Sequence, residues 1–181
     1  MNVAVVSCSL RSTPRSYVLA CEVADRLREL GAEVAFHDLR EYDLDLRGTP
    51  GAPDSHGANE IRASLKQANA ILVAAPVYNF DVNAAAKNLV ELTGGAWEDK
   101  VVGFLCAAGG RASYMSVMGL ANSLMLDFRC IVIPRFVYAT GDDFENDGTE
   151  EMRVGSAGIE ERIRELAQAA MRIGGALAST A

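Results

Sequence analysis

The chain has 181 residues, with 17 Lys plus Arg against 24 Asp plus Glu and a formal net charge of -7. Its basic residues are scattered and form no stripe, which argues against a nucleic-acid partner. The length fits one domain over 1–181 with a full hydrophobic core, and no apolar run has the length of a membrane span or the flanks of a signal peptide, so a cytoplasmic protein with no membrane partner is expected.

Short β-branched runs alternate along the chain with longer segments of helical period. Val3 to Ser7 reads as a strand, and Ser16 to Leu30 as a helix with Val18, Leu19, Val23, Leu27 and Leu30 on one side, ending at Gly31. Val34 to His37 is the second strand, followed by a polar, Gly- and Pro-bearing loop from about 38 to 55 and a helix over 58–68. Ala70 to Ala75 is the third strand, 83–93 a helix, Val101 to Cys106 the fourth strand, 113–126 a helix, Cys130 to Ile133 the fifth strand and 159–173 the closing helix.

Five strands alternating with helices define an α/β protein with a parallel sheet, because parallel neighbours need crossover connections and the helices supply them on both faces. Ligands bind such sheets beyond the carboxyl ends of the strands, so the loops at 8–15, 76–82 and 107–112 are expected to meet.

The cysteines, Cys8, Cys21, Cys106 and Cys130, are far apart and none has metal-ligand spacing, so they read as small buried hydrophobes. With only His37 and His56 available, a catalytic triad or a metal hydrolase has few parts. No metal site and no catalytic side chain is assigned.

The run from Ser7 to Ser16 places five hydroxyls and two arginines between a strand and a helix N-terminus. One cap, with Thr13 at the N-cap and Pro14 at N1, accounts for part of this, and the surplus points to a bound phosphate monoester. Neither G-x-x-x-x-G-K-[ST] nor G-x-G-x-x-G is present, which disfavours a nucleoside triphosphate loop and a dinucleotide fingerprint. Ala107 to Ser113 holds the adjacent Gly109 and Gly110, small enough for backbone to approach a flat ligand, or else forms a tight turn capped by Ser113. With Tyr78, Asn79 and Phe80 opposite, the three loops describe a slot for a planar ring carrying a phosphate, which fits FMN.

These residues resemble the NAD(P)H-dependent FMN reductases. Ser9, Arg11 and Ser16 with Leu19 and Ala20 match that family's phosphate loop, G-S-x-R-x-x-S-x-S-x-x-L-A. Pro76, Tyr78, Asn79, Lys87 and Asn88 match its P-E-Y-N-G-S-x-P-x-x-x-K-N signature, and Gly109-Gly110, Val137-Tyr138, Phe144 and Asp147-Gly148 are similar as well. The resemblance implies a flavodoxin-like three-layer sandwich with strand order 2-1-3-4-5. It implies FMN held by Ser9, Arg11, Ser12, Thr13, Arg15 and Ser16 at its phosphate. Pro76, Val77, Tyr78, Asn79 and Phe80 would form one wall for the ring, and Ala108, Gly109, Gly110 and Arg111 the other. The implied activity passes electrons from NADPH or NADH through bound flavin to a small acceptor such as a flavin or quinone. A flavodoxin-type carrier and a flavin-free binding module are the alternatives on the same fold.

The sequence departs from the pattern at Cys8 for Gly, Pro14 for Ser, Val77 for Glu, Phe80-Asp81 for Gly-Ser and Asn83 for Pro. Asp81 is either the N-cap of the helix from Asn83 or a carboxylate that lowers the flavin potential. Arg111 either stabilises negative charge on a reduced flavin, holds a nicotinamide cofactor's phosphate, or faces solvent. Lys87 is placed to pair with Glu91 at i, i+4. The segment 114–126 is apolar around most of its circumference, and with Ala84, Ala85, Ala86, Leu89 and Val90 it predicts a homodimer, or a dimer of dimers, through the helices near 83–93 and 113–126.

Overall fold

In the computed structural model residues 1–179 are described, so the last two positions of the 1–181 span lie outside the described residues. The elements in chain order are β1 Asn2–Ser7, α1 Arg15–Glu29, β2 Glu33–Asp38, α2 His56–Gln67, β3 Ala70–Tyr78, β4 Asp81–Val82, α3 Ala84–Thr93, β5 Val101–Ala107, α4 Met118–Phe128, β6 Ile131–Val132, β7 Val137–Ala139, β8 Phe144–Glu145, β9 Arg153–Val154 and α5 Ala157–Ala178.

The main sheet runs β2-β1-β3-β5, with β6 and β7 both parallel to β5 at its far edge. This is the expected order, with the fifth strand in two pieces. Pro134 carries no N–H and Arg135 sits at φ 62°, so the chain leaves the ladder between Val132 and Val137 and then rejoins it. The sheet therefore has seven strands and not five, because β4 also folds back antiparallel onto the end of β3. A second sheet pairs β8 with β9 and was not legible in the two short segments that form it.

Both sheet faces are covered. Ile61, Leu65, Leu89, Trp97, Leu120 and Leu124 pack on one side of the strands, and Leu19, Val23, Leu27, Ile163 and Leu166 on the other. A Cβ at Gly103 would lie 2.7 Å from Leu72 Cδ2 and 2.9 Å from Leu166 Cδ1, so the missing side chain lets α5 approach the sheet. The strands β3 and β5 are buried along nearly their whole length, as a parallel sheet covered on both faces requires. Their carboxyl ends consequently emerge together, at one rim.

The expected helix at 113–126 is two structures. Arg111–Val117 is 3-10, broken at Ser113, and only Met118–Phe128 is α-helical. Ser113 is not a cap: its hydroxyl meets the Tyr138 hydroxyl at 2.6 Å. No helix among the described residues is long and apolar enough to cross a membrane.

Candidate functional site

The carboxyl ends of β1, β3 and β5 enclose a cleft of about 330 Å³, within the usual range of small-molecule sites. One side is formed by Ser9, Arg11, Thr13, Pro14, Arg15 and Ser16. Pro76, Val77 and Tyr78 form a second side, and Ala107, Ala108 and Gly109 a third, with Asp147 and Gly148 at the edge. The structure thus brings together most of the residues expected to form the site. Ser12, Asn79, Phe80, Gly110 and Arg111 lie outside this lining, with Arg111 exposed.

The loop before α1 is built to leave donors open. Pro14, not Thr13, is the N-cap, and no side chain caps the helix. Pro14 cannot stand at N1 because its ψ of 128° is extended. The Tyr17 N–H is taken by the Pro14 carbonyl at 3.0 Å, which leaves the Arg15 and Ser16 N–H groups ahead of it in the first turn without an intrahelical acceptor, as a concentration of positive potential at this end. Ser16 sits in that first turn, is 1 % exposed, and its hydroxyl has no hydrogen-bond partner. A buried hydroxyl without a partner costs free energy unless a ligand supplies one. Ser9, equally buried, accepts from the Arg11 N–H at 3.3 Å.

Neighbouring side chains fix the loop. Arg40 holds the Asp38 carboxylate with Nε and Nη2 and donates from Nη1 to the Ser12 carbonyl at 2.9 Å, with its guanidinium 4.5 Å from the centre of the Tyr17 ring. Asn83 is buried and joins two loops: its Nδ2 donates to the Cys8 carbonyl at 2.7 Å and its N–H to the Pro76 carbonyl at 3.1 Å. Proline, which the signature has at this position, has no N–H to make the second bond. Asp81 is not the helix cap, since Asn83 precedes α3 and the Asp81 carboxylate accepts from the Val82 N–H at 2.7 Å.

Arg15 and Asp147 meet at the cleft's edge. Arg15 Nε and Nη2 donate to the two carboxylate oxygens at 2.8 and 2.5 Å. The pairing holds Asp147 below the usual carboxylate range and raises the Arg15 guanidinium. A Cβ at Gly141 would come 2.8 Å from Arg15 Nη2, so the guanidinium lies against bare backbone. Asp147-Gly148 was legible only as a likeness to the family. No spacing in the sequence connects it to the loop at 9–16.

Gly109 lines the cleft, yet a Cβ there would touch nothing within 4 Å. The fold does not need glycine at this position, because the space beside it is open. The thiols contribute no nucleophile: burial pushes Cys8 and Cys106 up to about 12 and Cys130 up to about 11. His37 is also away from the cleft, between Tyr42 and Ser64. Among the described residues no cluster of metal-ligating side chains occurs.

An open parallel sheet with an uncapped, hydroxyl-bearing helix start in a cleft beyond the carboxyl ends of its strands defines a doubly wound α/β protein with its pocket where such sheets bind ligands. The chain belongs to the NADPH-dependent FMN reductase family, whose sequence profile matches residues 1–145. A comparison with curated proteins finds no significant match. Among solved structures, it is similar to the flavoenzyme NAD(P)H:(acceptor) oxidoreductase FerB from Paracoccus denitrificans, with TM-score 0.74 and 18% identity over 96% of this chain and 97% of that one. An oxidoreductase from Corynebacterium diphtheriae gives TM-score 0.72 and 19% identity over 95% of each chain. RosB with bound 8-demethyl-8-formylriboflavin-5'-phosphate gives TM-score 0.76 and 16% identity over 99% of this chain and 81% of that one. At these identities the likeness is one of flavodoxin-like fold.

Proposed function

We propose that the protein is an FMN-dependent oxidoreductase that passes electrons from NADPH or NADH to a small organic acceptor. The observation that carries this reading is the Ser16 hydroxyl, buried without a partner at the uncapped start of α1, in a cleft that Tyr78 and Gly109 also line. That donor set fits a phosphate, and the flat walls fit the ring joined to it.

FMN bound here would supply the redox chemistry, which is hydride and electron transfer. The protein's own residues bind and orient. Ser9, Ser16, Arg11 and Arg15, with the first-turn N–H groups of α1, hold the phosphate dianion. Pro76, Val77 and Tyr78 present one wall to the ring, and Ala108 and Gly109 let backbone approach it from the other. No side chain is required to move a proton in the cleft. Four unpaired cysteines support a reducing, cytoplasmic setting.

We propose further that the protein is a homodimer through α4. Met118, Met125 and Leu126 are exposed on that helix and Met115 just ahead of it, whereas Ala86, Leu89 and Val90 of α3 are buried in the core. The α3 contribution expected from the sequence is thus restricted to its outer residues.

The test is reconstitution with FMN, followed by anaerobic titration with NADPH and with NADH. A bound yellow flavin that bleaches with either nucleotide is expected. Binding without bleaching would indicate a carrier, and no binding a flavin-free module.

A further inference from the structure

The turn between β3 and β4 has two central residues, Asn79 at φ 52° and Phe80 at φ 62°, closed by the pairs Tyr78↔Asp81 and Val77↔Val82. Two successive left-handed residues are the mark of a type I′ hairpin turn, where Asn-Gly is the preferred pair. Asn79 suits its place. Phe80 does not, because a bulky side chain is seldom left-handed and glycine takes that position without strain.

The aromatic ring that replaces glycine is also poorly buried. Phe80 is 70% exposed, and it stacks on none of the rings described. Folding gains little from it, and the turn is strained by it. Strain held at the rim of a site, with no return in packing, points to function. Two residues before it, Tyr78 lines the cleft and is 44% exposed. On the other side, β4 packs against the 3-10 segment that carries the exposed Tyr114 and Met115. The turn therefore carries an exposed aromatic ring just outside the cleft lining, two residues beyond Tyr78, which lines it.

We propose that Phe80 is a specificity residue for the electron acceptor, and that the acceptor it selects is a planar, uncharged quinone that stacks on its ring. This rests on the function proposed above. The overall reaction is balanced: NAD(P)H and one proton from solvent convert the quinone to its hydroquinone and leave NAD(P)⁺. An aromatic face attracts a flat, weakly hydrated ring and has little to offer a compact, highly charged acceptor.

The test uses the FMN-reconstituted full chain at saturating NADPH, with 2-methyl-1,4-naphthoquinone and ferricyanide as acceptors, and the variants Phe80→Gly and Phe80→Tyr. The ratio of KM for the naphthoquinone to KM for ferricyanide is expected to rise about tenfold in Phe80→Gly, the size of one stacking contact, and to stay within about twofold in Phe80→Tyr. The glycine variant is also expected to melt at a higher temperature, as the strain is released. An unchanged KM ratio in Phe80→Gly overturns the proposal, as does a shift in sedimentation with the ratio unchanged, which assigns the ring to a subunit contact. Wild-type protein that binds FMN and is bleached by NADPH upholds the underlying function even when the Phe80 result fails. Wild-type protein that binds no FMN overturns both.

Discussion

Arg15 grips both carboxylate oxygens of Asp147, at 2.8 and 2.5 Å, although 132 positions separate them in the chain. The carboxylate stands at the edge of the cleft that Arg15 itself lines, so it meets the arginine as a phosphate would. A ligand phosphate must share this guanidinium with Asp147 or displace it. The pair is about one third exposed on each side, so its own strength is modest.

Asp147→Asn is therefore expected to bind FMN more tightly. Removing one partly screened negative charge changes affinity by ~1 kcal/mol, or about fivefold in Kd. Quenching of flavin fluorescence on titration measures it, and a weaker Kd in the variant would show that Asp147 instead supports the site.

Ser16→Ala should move stability and binding in opposite directions. The ligand-free protein loses a buried, unpartnered hydroxyl, and gains about 0.5–1 kcal/mol in urea unfolding. The FMN complex loses a hydrogen bond to a charged group, costing ~1.5–3 kcal/mol in Kd.

Gly109→Ala separates fold from site. Since a Cβ there meets no protein atom, the melting temperature of the ligand-free protein should stay near that of the parent, a change within about 0.5 kcal/mol. FMN affinity should fall by about tenfold or more, as the methyl group takes space beside the ring. Equal losses in both measurements would place the glycine in the fold's requirements.

His37 governs part of the acid sensitivity. Tyr42 donates its hydroxyl hydrogen to Glu60 at 2.9 Å, so its oxygen accepts from His37 Nδ1, and Nε2 accepts from Ser64. Burial lowers the His37 pKa from its ordinary 6.5, with Glu60 opposing in part. Below about 6.5 the unfolded chain takes up a proton that the folded protein resists, so this contribution to stability is lost as pH falls from there through the folded value. Urea midpoints between pH 7.5 and 5.5 should show the decline, and it should be shallower in His37→Gln.

The dimer predicts a change of mass. Met118→Glu places a charge on the exposed stripe of α4 without touching the buried Leu120 and Leu124, so the parent should sediment as a dimer and the variant as a monomer. A monomeric parent at micromolar concentration would overturn the interface.

Much of the fold could be read from the chain because β3 and β5 are apolar runs with a helix after each, which leaves few arrangements. That the loop between β1 and α1 lines a cleft was legible for a similar reason: its hydroxyls and arginines lie within ten residues of one another. Other features depend on contacts distant in sequence. Asp147 acquires its place only when the segment after β8 folds over Arg15. Thr13 has the right chemistry for a cap, but the extended backbone at Pro14 moves the cap one residue on. The division of the fifth strand turns on the left-handed backbone at Arg135, for which an arginine gives no signal. At Asn79-Phe80 the signature's Asn-Gly turn persists, although the residue that favours it is gone.

The interruption between β6 and β7 has a consequence for assembly. An edge strand offers its free N–H and C=O groups to any strand that approaches, and a long regular edge invites another molecule to extend the sheet. Here that edge consists of two short pieces offset by Pro134 and Arg135, so no continuous row of backbone donors and acceptors is presented. A neighbouring copy that approached this side would find two short ladders out of line with each other instead of one.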